Sequence, residues 1–270
     1  MHIMMRNLAV AEIEDEMRSV DAAAQVQPKV TPCQACPLRN LKAFRQFTPT
    51  EVDFVSYFKS GELIAHPGMT ILSEGAPSEH LYTILSGWSF RYKLLSDGDR
   101  QILNFALLGD LLGLQGSVFD SMGHSVEALT RSTLCIFPLQ KLWTLYEKHP
   151  DLAFDITWLA SREERIIDEH LISVGRRSAT QRVAFLLMSL YSRCVQAGIA
   201  EGGQTVFPLT QQHLADALGL SVVHTNKVLR RLTDRELIFW RSGTLQIRNE
   251  TGLRELSLFS NEEPRNRPFI

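Results

Sequence analysis

The stretch from Leu209 to Ile247, LTQQHLADALGLSVVHTNKVLRRLTDRELIFWRSGTLQI, constrains the fold more than any other part of the chain. Thr210 is a good N-cap for a helix carrying apolar residues at Leu214, Ala215 and Leu218, and Gly219 can take the positive φ of a tight turn. A second cap, Ser221, opens a helix through about Leu232 whose Thr225, Val228, Leu229 and Leu232 are spaced to face inward. Two short helices around a glycine turn predict a helix-turn-helix. Leu237 to Arg241 and Thr244 to Arg248 then read as short extended runs around Ser242-Gly243, a β-hairpin wing.

The outer face of the second helix has the chemistry of a DNA reader. Val223, His224, Asn226 and Lys227 project from its N-terminal half, where such helices meet base edges. Arg230 and Arg231, with the cap hydroxyls of Thr210 and Ser221, are placed for phosphates. From Thr205 to Arg248 there are six Lys and Arg against three Asp and Glu, whereas the whole chain carries a formal charge of -2. The basic charge is concentrated where this fold would touch nucleic acid.

With 270 residues, 44% of them hydrophobic and 21% charged, the chain has the make-up of a globular protein of two modest domains. No run approaches the roughly 18 apolar residues of a membrane span, so no membrane partner is expected. The N-terminus lacks the uninterrupted apolar core of a signal peptide, which predicts a cytoplasmic protein. Four unevenly spaced cysteines do not suggest a secreted disulfide framework, so metal binding or redox chemistry is the better reading.

The chain divides by texture. Residues 1–31 are polar and mildly acidic and predict a flexible tail. Residues 32–148 begin with Cys33-Gln34-Ala35-Cys36, whose spacing lets two sulfurs reach one metal or one another, and with a short helix from Thr48-Pro49. They continue as short apolar or alternating runs, such as Leu81 to Leu85 and Gln101 to Leu107, separated by glycine turns. That grammar predicts a β-roll or jelly-roll barrel. Residues 149–176 form one long helix with two apolar stripes. One holds Leu152, Ile156 and Leu159; the other holds Ala160, Ile167, Leu171 and Val174 and predicts a homodimer through a twin helix. Residues 177–258 form the winged helix-turn-helix domain, opened by a helix from Ala179 to Gln196 that places Cys194 in its core. Residues 259–270 are polar with two prolines and predict a disordered tail.

Leu85-Ser86-Gly87, Gly109-Asp110-Leu111-Leu112-Gly113 and the helix-turn-helix, in that order, resemble the CRP/FNR family of bacterial transcription regulators from about Cys33 to Ile247. The resemblance implies an α+β chain: an N-terminal β-roll sensor domain, a long dimerisation helix and a C-terminal winged helix-turn-helix. It implies a homodimeric, sequence-specific regulator that binds palindromic double-stranded DNA and meets RNA polymerase, not an enzyme. Many relatives hold cyclic AMP in the roll through an Arg-Ser pair. Here no arginine lies between Arg100 and Arg131, and no cyclic nucleotide is expected.

The FNR branch holds an iron–sulfur cluster on N-terminal cysteines and one cysteine of the roll. Cys33 and Cys36 match the paired ligands and Cys135 the distant one, but Lys42 stands where the third N-terminal cysteine would be. Three readings stay open: three thiolates completed by a carboxylate or water as a cluster or metal site, a dithiol–disulfide switch at Cys33 and Cys36, or structural cysteines. An oxygen or redox signal follows from the first two, and a small-ligand-gated regulator from the third. Where FNR-type regulators carry an acidic residue against dimerisation this chain has Ile167, which implies a standing dimer. Relatives often read DNA with a Glu and an Arg four residues later; Val223 and Lys227 occupy those positions and imply an altered palindrome. A cupin-like enzyme is the remaining alternative, but His66, His80 and His124 are isolated and read as surface or strand residues.

Overall fold

The computed structural model describes residues 25–27, 31–260 and 266–270. Two antiparallel sheets face one another in the first half of the chain. One orders β1 (Gln25–Gln27), β2 (Gly61–Ala65), β9 (Ser132–Pro138), β4 (His80–Ser86) and β7 (Leu111–Leu112); the other orders β3 (Thr70–Leu72), β8 (Ser125–Ala128), β5 (Ser89–Leu94) and β6 (Arg100–Ala106). The strands alternate so that Leu63, Leu72, Ile84, Val126, Leu134 and Ile136 fill the space between the sheets, as a two-layer roll requires. Outside the roll, α1 (Pro49–Phe58) is held by a Thr48–Glu51 capping box and packs Val52, Val55 and Phe58 beside Phe137.

After α2 (Leu142–Lys148), the long helix α3 runs over Pro150–Arg176, with proline in its first turn, where a missing N–H costs nothing. Its Leu152, Ile156 and Leu159 are buried. The second domain comprises α4 (Ala179–Gln196), β10 (Ala200–Glu201), β11 (Gln204–Val206), α5 (Gln211–Leu218), α6 (Val222–Asp234), β12 (Ile238–Arg241), β13 (Thr244–Ile247) and α7 (Glu250–Ser257). The β-roll, the long helix and the winged helix-turn-helix agree with the fold expected from sequence. Among the described residues no helix is long and apolar enough to cross a membrane.

Two expectations require correction. Residues 1–31 were expected to be a flexible tail, yet Gln25–Gln27 form β1 and pair antiparallel with Glu62–Ile64, completing an edge of the first sheet. The rest of that stretch, residues 1–24 and 28–30, lies outside the described residues. Residues 259–270 were expected to be disordered, yet Arg267, Phe269 and Ile270 are buried. Phe269 stacks on Phe47 with ring centroids 4.6 Å apart, and Arg267 donates to the Gly109 carbonyl at 2.8 Å. Composition marked that tail as polar because its two anchoring groups are separated by proline; the partners that bury them are far away in sequence.

The two domains share one apolar core. Trp88, Phe90, Ile102, Phe105 and Leu107 of the roll pack with Leu187, Leu190, Leu214 and Leu218 of the second domain. At this junction Asp110 is buried and receives three guanidinium groups: Arg162 of α3 at 3.3 Å, Arg193 of α4 at 2.5 Å, and Arg267 of the C-terminal segment. The Leu107 N–H adds a fourth bond at 2.7 Å. Burial alone would raise the Asp110 carboxyl, but these positive charges and the N–H hold it well below the usual carboxylate range.

Candidate nucleic-acid interface

Three local features make the reading head. The Thr210 hydroxyl accepts from the His213 N–H at 3.2 Å while His213 Nδ1 accepts from the Thr210 N–H at 3.0 Å, which fixes the start of α5. Gly219 ends that helix at φ 60°, a backbone state that a β-carbon disfavours, and so sets the turn. The Ser221 hydroxyl accepts from the His224 N–H at 3.2 Å and starts α6. Thr225, Val228, Leu229 and Leu232 form the buried stripe of α6.

Val223 is 66% exposed, and His224, Asn226, Lys227, Arg230 and Arg231 are also exposed on the opposite side. The structure therefore brings all six together on one open face, with the capping hydroxyls of Thr210 and Ser221 at the exposed helix starts. The wing follows as β12 and β13, paired from Ile238↔Ile247 to Arg241↔Thr244 around a turn in which Ser242 and Gly243 both have positive φ. Exposed Arg241 at the wing tip is a further cation of this domain that the helix-based reading missed; its position one residue before the turn was the available signal.

On α3, Ala160 and Leu171 are exposed, Leu171 by 66%, while Ile167 and Val174 are half-buried. Val118 and Phe119, 67% and 71% exposed, lie on the same side, since they line one cavity of about 400 Å³ with Ala160 and Ile167. Sequence reasoning missed this pair, because a Val-Phe step between polar residues looks the same whether it folds inward or out.

Arg91 and His124 also line that cavity. Arg91 donates from Nε to His124 Nε2 at 2.9 Å and pairs with Glu163 of α3. His124, expected at the surface or in a strand, is instead buried just ahead of β8, whereas His66 is exposed and His80 half-buried. Burial first, then Arg91 and Lys93, push the His124 imidazole down to about 3 from the ordinary 6.5. The unfolded chain takes up that proton near pH 6.5 and the folded chain only near pH 3, so this contribution to stability is intact above 6.5 and lost as pH falls through that window. His124→Gln should flatten the dependence of the urea midpoint on pH between those limits; an unchanged slope would contradict the assignment.

Three of the cysteines meet at a second, smaller cavity of the roll. Cys33, which opens a short 3₁₀ turn, Cys36, between that turn and the next, and Cys135, on β9, line a cavity of about 20 Å³ together with Phe47, Phe269 and Ile270. None of the three is in a disulfide. Burial pushes Cys135 up to about 12 and also raises Cys36. Lys59 is buried beside them, bonded to Glu62 at 2.6 Å and to the Thr31 carbonyl at 2.9 Å. Cys194 is buried in the core of the second domain.

An iron–sulfur cluster needs four ligands, and these residues do not fit one. Lys42 is exposed and lies outside the cavity lining, the walls near the thiols are apolar, and the space holds about one water molecule. Among the described residues no group of three or more His, Cys, Asp or Glu is placed to hold a metal ion.

A family model for the cyclic nucleotide-binding domain matches residues 62–149, and one for the Crp-like helix-turn-helix domain matches residues 181–256. The nitrogen fixation regulation protein FixK of Rhizobium meliloti (strain 1021) is 33% identical over 194 residues, which cover 70% of this chain and 84% of the relative. The fumarate and nitrate reduction regulatory protein of Vibrio cholerae is 27% identical over 230 residues, covering 85% of this chain and 92% of that protein. The solved structure of FixK2 from Bradyrhizobium japonicum superposes with a TM-score of 0.67 at 26% identity, covering 74% of this chain and 98% of that one. With its β-roll, long helix and winged helix-turn-helix in the same order, the chain belongs to the CRP/FNR family of DNA-binding transcription regulators and is not an enzyme.

Proposed function

We propose that the protein works as a homodimer that reads a palindromic duplex. The observation that carries this is the second stripe of α3: Leu171 is 66% exposed on a helix whose other face is already buried against its own roll. A twin helix would cover Ala160, Ile167, Leu171 and Val174, with Val118 and Phe119 flanking the seam. Symmetry then presents two α6 helices to successive major grooves, about 34 Å apart. RNA polymerase is the partner implied by family resemblance, and the cytoplasm the implied location.

In this reading Lys227 donates to guanine, Val223 touches a thymine methyl, and Asn226 and His224 face a purine edge. Thr210, Ser221, Arg230 and Arg231 hold phosphates, which position the protein without specifying sequence. Lys227→Ala should weaken the cognate site by about 1–3 kcal/mol and relax one base position. Electrophoretic titration against a library of single-base variants checks this; equal loss on every duplex would assign Lys227 to phosphate instead.

The roll does not require a cyclic nucleotide. Arg91 is committed to Glu163, Arg162 and Arg267 to Asp110, and His124 is held neutral, so a buried phosphate would have to displace carboxylates. A redox input is the second reading, favoured by the convergence of Cys33, Cys36 and Cys135 on one cavity. Peroxide treatment would remove two electrons and two protons from Cys33 and Cys36, yielding a disulfide and water. Peptide mass spectrometry with parallel DNA titration tests this: a Cys33–Cys36 bridge that alters affinity supports the reading, and unchanged thiols or unchanged affinity oppose it.

A further inference from the structure

The segment Asn266–Ile270 is bound to the roll much as a short peptide ligand is bound to a receptor. Its backbone adds to an extended edge: the Arg267 N–H donates to the Ala43 carbonyl at 2.8 Å and the Arg45 N–H donates to the Arg267 carbonyl at 2.9 Å, one residue of parallel β-pairing opposite Phe44. Side chains on either side of Pro268 then provide two different anchors. The Arg267 guanidinium passes over the Phe44 ring at 5.2 Å to reach Asp110 and the Gly109 carbonyl. Phe269 stacks on Phe47 and meets Phe44 edge-on, with centroids 5.4 Å apart, and is 3% exposed. Gly109 is part of the receptor, because a β-carbon there would lie 2.5 Å from the Phe44 ring.

An arginine and an aromatic anchor, both buried, with main-chain pairing beside them, is the composition of a specific recognition site. The far end of the segment forms part of the wall around the thiols, since Phe269 and Ile270 line the cavity of Cys33, Cys36 and Cys135. The near end continues from the reading domain, where Phe259 packs on Phe185 of α4 at 5.6 Å between centroids.

We propose that the roll carries a peptide-binding groove, formed by Ala43–Phe47 and Gly109–Asp110, whose occupant is the chain's own Arg-Pro-Phe-Ile segment, and that this occupant controls access to the three thiols. The segment is a second covalent link, besides α3, between the DNA-reading domain and the roll, and it reaches the cysteine cavity. It shields the sulfurs while docked and exposes them when it leaves. This deepens the redox reading by naming what regulates the thiols, but its test needs neither DNA nor oxidant.

The experiment compares the full chain with a chain ending at Arg265 and with Phe269→Ala, following N-ethylmaleimide labelling of Cys36 and Cys135 by peptide mass spectrometry. Both altered chains should label at least about tenfold faster, and the synthetic pentapeptide Asn-Arg-Pro-Phe-Ile should slow labelling of the shortened chain back toward the full-chain rate. Fluorescence anisotropy of the labelled pentapeptide should show saturable binding to the shortened chain, and none when Arg and Phe are exchanged. Arg267→Ala, which leaves the aromatic anchor in place, should give an intermediate labelling rate and guards against misreading a folding defect in the other two. Unchanged labelling in all three chains, or faster labelling that the pentapeptide does not reverse, would overturn the proposal. Failure of the disulfide test above with success here would reject the redox reading and leave the groove standing.

Discussion

Asp110→Asn should destabilise the protein by about 3–5 kcal/mol, read as a fall in the urea midpoint at unchanged slope. The substitution keeps the shape of the side chain and removes the negative charge on which Arg162, Arg193 and Arg267 converge. Each guanidinium is buried, and a buried cation deprived of its counter-charge has lost its solvation without replacement. The effect should exceed that of Arg267→Ala, which removes one of three donors and leaves the carboxylate neutralised by the other two. It should also loosen the second domain from the roll, because Arg193 reaches Asp110 from α4 while donating to the Phe105 carbonyl at 2.8 Å. A loss below about 1 kcal/mol, the range of an exposed ion pair, would show that the cluster is solvated and does not bind the domains together.

Leu171→Glu should convert the protein to a monomer and lower affinity for its palindrome by at least about a thousandfold, the usual margin between specific and non-specific binding. Two-fold symmetry places the new charge twice at one apolar seam, next to its own copy, so each dimer suffers both desolvation and like-charge repulsion. The folded monomer should keep its stability, since Leu171 is 66% exposed within one chain. Sedimentation equilibrium and thermal melting separate these effects. A stable dimer would move the interface away from this stripe, whereas a large drop in melting temperature at low protein concentration would show that the helix also needs its twin to fold.

The reading head was legible in sequence because its rules are local. Thr210, Gly219 and Ser221 each act within four residues, and Val228, Leu229 and Leu232 report their face by spacing alone. The roll was legible for a similar reason: its glycine turns punctuate strands whose apolar residues are nearly continuous. What escaped notice depends on pairing across the fold. Asp110 served only as a family marker until Arg162, Arg193 and Arg267, separated along the chain by up to 105 residues, were seen to converge on it. Gln25–Gln27 has no strand-like pattern and gains its structure from the open edge of β2. The final Phe269 and Ile270 belong to a segment whose charged and proline residues dominate any compositional average. The cysteine trio was half legible: the C-x-x-C motif and the distant Cys135 could be matched to one another, but the small apolar space between them could not.

The most direct test of the account is the mass of the complex formed on a palindromic duplex compared with one half-site, measured by sedimentation. Two chains per palindrome, and only weak binding to the isolated half-site, is the expected result. One chain per palindrome with equal affinity for half-site and whole site would contradict the dimeric reader.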